Sequence, residues 1–210
     1  MDKSSRQLLR SVSHLPYLGW VREQLNTVGC KVVKWKPWSR DDSYFAYFSE
    51  RRVILPVPEC EYSFLVCLHE IGHVSSGDRS HTYLHEYNAE RWCISRAKQY
   101  GIESKRYNAG AKRYVRMHIY QNVVRDQLDI AKIKPYVLKW IGTSHAAIQR
   151  ATKSMSITDK RLIISWLYNY LIPNKLQNQK TRSKRSNFLI GCLIPTSQLK
   201  RVRIQVSTPN

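Results

Sequence analysis

No apolar run in the sequence approaches the roughly 18–20 residues that a membrane-spanning helix requires, so we expect no contact with a membrane through such a helix. The first residues lead into no apolar core of the kind found in secretory signal peptides. The five cysteines are odd in number and form no C-x-x-C pair, which is typical of reduced and mostly buried thiols. We therefore expect a cytoplasmic protein.

Acidic side chains are scarce in the second half of the chain and absent after Asp159. Residues 1–90 carry 11 Lys and Arg and 11 Asp and Glu, whereas residues 91–210 carry 24 and 4. The whole formal charge of +20 therefore belongs to the part of the chain after residue 90. A field of this sign attracts polyanions, so this basic region indicates contact with nucleic acid. A basic surface without a partner is the alternative.

The composition predicts a folded core followed by a basic region. The chain has 210 residues, of which 42% are apolar, and this suits one domain with a tail or two small domains. We assign residues 1–127 to the first domain. Residues 128–210 form a basic C-terminal region that either folds as a separate small domain or extends the first one. Nothing in the sequence indicates an oligomeric state.

The order of the predicted elements indicates an α+β fold. Helical periodicity covers residues 3–28, with a break near Pro16 and Gly19. We expect a small sheet packed on one apolar helix, followed by a largely helical C-terminal region. The predicted strands lie at 31–36, 44–48 and 52–55, the later helices at 82–100, 107–127, 136–152 and 158–172, and two further β-like runs at 187–194 and 202–206.

The segment from Leu68 to His73 contains an H-E-x-x-H motif. Residues four apart on a helix lie about 6 Å from each other on one face, so His69 and His73 can offer two imidazoles to one metal ion. Glu70 lies about 100° around the helix, close enough to reach a water molecule on that ion. Two ligands and a general base on one helix are the arrangement of zinc hydrolases, so Zn²⁺ is the predicted cofactor.

The residues around the motif favour a buried helix that ends shortly after it. Residues 62–68 form an apolar run that leads directly into the motif, and Pro56 and Pro58 lie upstream of the helix. Gly77 follows at a position suited to a C-terminal cap. A chance match to the motif is expected about once in 100 chains of this composition, but chance would not supply apolar flanks.

A catalytic zinc ion requires a third protein ligand and keeps one position for water. Four candidates lie downstream of the motif, at His81, His85, Glu86 and Glu90. Glu86 is favoured because a stripe of small residues follows it at helical spacing, namely Ala89, Cys93 and Ala97. Such a stripe lets this helix approach the motif helix closely enough for a carboxylate to reach the ion. Glu90 is the second choice, since Cys93 follows it by three residues.

The sequence H-E-I-G-H, followed by E-Y-N-A-E-R-W-C at 86–93, resembles the Glu-ligand branch of the zincin metallopeptidases. It is most similar to the ImmA/IrrE-type family, whose pattern is H-E-x-x-H and later E-x-x-A-x-x-F-A. The likeness covers residues 44–97 and includes the hairpin before the motif helix. It implies a zincin-like core and a zinc metallopeptidase that hydrolyses peptide bonds of a protein or peptide substrate. The implied zinc ligands are His69, His73 and Glu86, with Glu70 as the catalytic base.

Other readings of the motif stay open. The metzincin pattern fails, because Ser76 and Arg79 occupy the positions that it reserves for Gly and His. A SprT-like protein, which acts at DNA and takes a later His as third ligand, would use His81 or His85 and would suit the basic second half. A non-catalytic zinc protein would close the site with four protein ligands, for instance with both His85 and Glu86 bound.

Two further expectations concern the substrate. The 52–55 strand is expected to align a peptide substrate as an added β-strand. Three residues of the 107–127 helix offer donors for the oxygen of an attacked carbonyl, although packing is the more common role of side chains at this spacing. These residues are Tyr107, Tyr114 and His118.

Overall fold

A computed structural model of the protein describes residues 3–39, 44–77, 82–160 and 163. The chain divides into two units, Met1–Leu171 and Ile172–Asn210, and every described residue belongs to the first. The predicted β-like runs at 187–194 and 202–206 lie outside the described residues, as does most of the predicted helix at 158–172. The described residues form a mixed α+β structure, as predicted.

Two helices, α1 (Lys3–Ser11) and α2 (Pro16–Val28), precede the sheet. The predicted break lies at Pro16, the first residue of α2. Proline is tolerated there because an N–H in the first turn of a helix has no hydrogen-bond partner within the helix. Gly19 lies inside α2 and does not interrupt it. Gly29 ends α2 with a φ of 67°, a conformation that glycine adopts without strain.

The sheet contains strands β1 (Lys31–Lys36), β2 (Phe45–Tyr47) and β3 (Arg52–Pro56). β3 is the central strand, parallel to β1 and antiparallel to β2. The expectation that residues 52–55 receive a substrate strand is therefore wrong, because β1 and β2 already occupy both edges of β3. Among the strands of the described region, none pairs with the outer edge of β2.

The H-E-x-x-H motif lies on α3 (Glu61–Ser76), as predicted. The apolar lead-in places Phe64, Leu65 and Leu68 in the core, where α3 packs against β3 and α2. Gly77 ends the helix with a φ of 57°. The next helix, α4 (Thr82–Gln99), packs along α3, and Gly101 follows it with a φ of 76°.

Three helices follow: α5 (Lys105–Val124), α6 (Pro135–Ile141) and α7 (His145–Ser154). The prediction of one continuous helix at 136–152 is wrong. Gly142 adopts a left-handed conformation with φ 69° and ψ 47°, and its N–H bonds back to the last turn of α6. Ser144 then caps α7 by accepting a hydrogen bond from the N–H of Ala147. Short 3₁₀ turns occupy Phe48–Glu50 and Ile130–Lys132.

Buried apolar side chains form two clusters. The first lies between the sheet, α2, α3 and α4, and the second between α4, α5, α6 and α7. Ile133, Val137 and Ile148 join Tyr83 and Val115 in the second cluster, so the part of the 128–160 segment with these side chains packs on the preceding helices. In the part of the chain that the structure describes, no helix has the length and apolar composition needed to cross a membrane.

Candidate metal centre

The imidazoles of the two motif histidines meet on one face of α3. His69 and His73 are four residues apart, so their side chains leave the helix on one face. Their Nε2 atoms lie 2.9 Å apart, and both residues are more than nine-tenths buried. Their rings are nearly perpendicular, with an interplanar angle of 87°, and the short distance between the Nε2 atoms shows that both nitrogens converge.

Glu86 reaches the same point from α4. Its Oε2 atom lies 3.3 Å from Nε2 of His69 and 3.3 Å from Nε2 of His73. The approach depends on Gly72 in α3, which faces Ala89 in α4. A Cβ atom at Gly72 would lie 2.9 Å from the carbonyl oxygen of Ala89, so only glycine allows the two backbones to come this close.

The three atoms form a nearly equilateral triangle that fits a metal ion. Its sides are 2.9, 3.3 and 3.3 Å. Ligands held about 2.0–2.1 Å from a tetrahedral ion lie roughly 3.3 Å apart, so the observed spacing matches. Two nitrogens and a carboxylate oxygen that converge in a buried place need a positive charge between them. This His-His-Glu group can therefore hold a metal ion.

The pKa values of His69 and Glu86 are shifted in the directions that favour a charged pair. Burial alone would lower the pKa of His69, but Glu90 and Glu86 together raise it well above its usual value. Burial alone would raise the pKa of the Glu86 carboxyl, but His73, His118 and His69 hold it well below its usual value. The carboxylates thus favour a positive charge at His69, and the histidines favour a negative charge at Glu86.

No protein-family model, curated protein or solved structure matches the chain. The resemblance to the ImmA/IrrE-type family stays a prediction. Of the residues assigned to the site from the sequence, the structure brings together His69, His73 and Glu86, while His81 lies outside the described residues.

Glu90, the second choice for the third ligand, contacts the other side of the His69 ring. Its Oε1 atom lies 3.3 Å from Nδ1 of His69, whereas Glu86 faces Nε2. A carboxylate at Nδ1 fixes the orientation of an imidazole and makes Nε2 a better ligand. This positioning role of Glu90 was not among the predictions from the sequence. The four-residue spacing of Glu86 and Glu90 was the available signal, since it places both carboxylates on one face of α4.

Glu70 is buried on α3, close enough to His69, His73 and Glu86 for their charges to act on its carboxyl. Only 6% of the residue is exposed, and burial raises the pKa of its carboxyl, although His69 and His73 oppose that shift. A carboxylate with a raised pKa is a better proton acceptor near neutral pH. Glu70 therefore has the environment of a general base.

α5 forms a wall of the site. Tyr62 of α3 lies 5.9 Å from Tyr107, and His69 lies 6.0 Å from Tyr114, measured between ring centroids. The two contacts join residues that are the same number of positions apart in the sequence. α5 therefore runs in the same direction as α3 between these two contacts. His118 lies one turn beyond Tyr114, with ring centroids 4.7 Å apart, and burial lowers its pKa. An imidazole and a phenol thus lie beside the three converging side chains.

Tyr107 and His85 are not among the three converging side chains. The thiol of Cys93 in α4 donates a hydrogen bond to the hydroxyl oxygen of Tyr107 at 3.4 Å, so this hydroxyl already has a partner. The ring of His85 lies 4.4 Å from that of His73, which makes His85 a neighbour of a ligand. Among the described residues, the group that can hold an ion consists of three side chains and does not include His85.

Proposed function

We propose that the protein is a zinc-dependent metallopeptidase with a zincin-like core. The observation that carries this proposal is the triangle of His69, His73 and Glu86 with the Glu70 carboxyl buried beside it. The two imidazoles and one carboxylate are the donor set of many catalytic zinc sites, and three protein donors suit a catalytic centre better than a structural one. When bound, zinc supplies a Lewis acid and lowers the pKa of water.

The side chains around the triangle have complementary roles in this proposal. Glu70 accepts a proton from the attacking water at its carboxylate and delivers it to the amine of the departing product. Tyr114 and His118 donate hydrogen bonds to the oxygen of the attacked carbonyl, because they line the wall of the site opposite the ligands. Glu90 holds the His69 ring in place.

The substrate in this proposal is an extended peptide. β2 replaces β3 as the strand that pairs with it, since among the described strands the outer edge of β2 is not covered. Main-chain hydrogen bonds to such an edge hold a peptide without demanding a particular sequence.

The first test compares Glu70→Gln with wild type in zinc content and in cleavage of an unfolded protein substrate. We expect the variant to keep its zinc, because Glu70 is not one of the three converging side chains, and to lose at least about 100-fold of its activity. Glu61→Gln is the matched control, since it lies on the same helix at an exposed position. Wild-type cleavage by Glu70→Gln would contradict the mechanism.

The alternatives predict different ligands. A structural zinc protein needs a fourth protein ligand, and a SprT-like protein would use His81 or His85 instead of Glu86 as its third ligand. Zinc content of Glu86→Ala and His85→Ala separates these readings. Loss of zinc in Glu86→Ala alone supports a Glu-type catalytic site, whereas loss in both variants supports a closed site.

A further inference from the structure

α6 and α7 are consecutive helices joined by a short turn. α6 ends at Ile141, α7 begins at His145, and three residues that start with Gly142 join them. A turn of three or four residues that contains glycine is characteristic of the helix-turn-helix motif. Thr143 also donates its N–H to the carbonyl of Leu138, so the turn is fixed at both ends.

α5 and the second apolar cluster hold the two helices in place. Val137, Leu138 and Ile141 of α6 are buried, as is Ile148 of α7, and all four belong to this cluster. The imidazole of His145 lies 2.9 Å from the carbonyl oxygen of Ile133 and anchors the start of α7. The two helices are therefore packed into the described fold.

One face of α7 points to solvent and carries polar or very small side chains. Exposed residues follow the spacing of a single helical face, at Ala146, Gln149, Arg150, Lys153 and Ser154, whereas Ile148 and Thr152 lie on the opposite, buried face. α7 spans 10 residues, about 15 Å, and an α-helix with its side chains is about 10–12 Å wide. The major groove of B-form DNA is about 12 Å wide.

Cations outnumber anions in the segment that contains this face. Residues 130–158 contain five Lys and Arg and no Asp or Glu, and Asp129 and Asp159 flank them. Arg150 and Lys153 lie on the face itself, and the exposed Lys132, Lys134 and Lys139 precede it in the sequence. An excess of cations attracts phosphates, so the charge of this segment favours contact with DNA.

We propose that α7 binds in the major groove of double-stranded DNA. Gln149 and Arg150 can each make paired hydrogen bonds to base edges, to adenine and guanine respectively, while the neighbouring lysines contact phosphates. The small side chain of Ala146 lets the first turn of α7 approach the bases. Duplex RNA does not fit, because its major groove is too deep and narrow for a helix.

The test measures the binding of fluorescein-labelled duplexes of about 20 base pairs by anisotropy, first with random sequences and then with sequences selected by the protein. The full chain is used with Glu70→Gln, without added zinc or peptide, so the result does not depend on the proposed peptidase activity. We expect Arg150→Ala to weaken binding to a selected duplex about 10–100-fold. Gln149→Ala should relax the preference for adenine at one position.

Two control variants distinguish sequence-specific binding by α7 from non-specific attraction of DNA by positive charge. Arg22→Ala removes an exposed arginine from α2, and we expect it to change the affinity less than about twofold. Arg150→Lys keeps the charge but loses the paired geometry, so it should retain binding to random DNA and lose the sequence preference. Equal losses in Arg150→Ala and Arg22→Ala, or preferential binding of duplex RNA, would overturn the proposal.

Discussion

At the scale of the residue, the role of Glu90 depends on which nitrogen of His69 it faces. Because its carboxylate lies at Nδ1, Glu90→Gln should weaken zinc binding about 10–100-fold without abolishing it. Glu86→Ala should abolish it, since Glu86 faces the Nε2 atoms of both histidines. Competition with a chromophoric zinc chelator measures both affinities.

Glu103→Gln is the control for this comparison, because Glu103 is an exposed carboxylate in an ion pair with Lys98. We expect it to bind zinc as wild type does. A loss in Glu90→Gln as complete as that in Glu86→Ala would identify Glu90 as a ligand instead of a positioning residue.

The three side chains that could hold a metal ion were predictable from the sequence, while the contact of Glu90 with His69 was not. Helical periodicity brings His69 and His73 together, and the small residues after Glu86 indicate a close helix pair. Which ring nitrogen a carboxylate meets depends on the separation and rotation of two packed helices. Periodicity does not determine either quantity, so Glu90 was assigned only as a second choice of ligand.

At the scale of the element, the metal site depends on how closely α3 and α4 approach each other. Gly72→Ala would bring a methyl group to 2.9 Å from the Ala89 carbonyl oxygen, a backbone atom that cannot rotate away. We expect a loss of about 1–3 kcal/mol in the free energy of unfolding, together with weaker zinc binding as Glu86 moves outward. Denaturant unfolding and zinc titration measure the two effects.

Gly19→Ala is the matched control for Gly72→Ala, since a Cβ atom at this position of α2 meets nothing within 4 Å. Alanine is the better helix former, so this variant should gain roughly 0.5–1 kcal/mol of stability. If Gly72→Ala unfolds and binds zinc as wild type does, the close approach of α3 and α4 is not what positions Glu86.

Two predictions about elements were wrong for a related reason, namely the continuous helix at 136–152 and the free edge of the 52–55 strand. Residues 136–152 have continuous helical periodicity, but the left-handed Gly142 and the Ser144 cap divide them into α6 and α7. Strand order likewise cannot be derived from chain order, so the central place of β3 was not anticipated. Local patterns identify the elements, whereas pairing and packing decide where each one ends and which edge it exposes.

At the scale of the whole molecule, α5 links the two proposed sites. One side of this helix presents Tyr114 and His118 to the metal ligands, and α6 and α7 pack on the same helix. Along the sequence, residues 1–90 have no net charge and contain His69, His73 and Glu86, while the excess of cations follows residue 90. The proposed chemistry and the proposed contact with a polyanion thus belong to different parts of the sequence.

Zinc binding should stabilise the whole fold, and this stabilisation should depend on pH. Zinc at about 100 times its Kd adds roughly 2.7 kcal/mol to the free energy of unfolding, because the unfolded chain lacks the assembled site. Because Glu90 and Glu86 raise the pKa of His69 above its usual value, a proton competes with zinc for this imidazole more strongly than for a free one. Zinc must displace that proton, so lowering the pH weakens zinc binding by up to about tenfold per pH unit.

The measurement is the increase in Tm on adding zinc, recorded between about pH 6 and 8. The increase should shrink as the pH falls and be absent from Glu86→Ala at every pH. The metal-free protein has the opposite dependence for His69: the contribution of its proton to stability is present below the unfolded pKa and lost as the pH rises through the raised folded pKa. A zinc-dependent increase in Tm that does not change with pH would mean that no proton leaves the site when the metal binds.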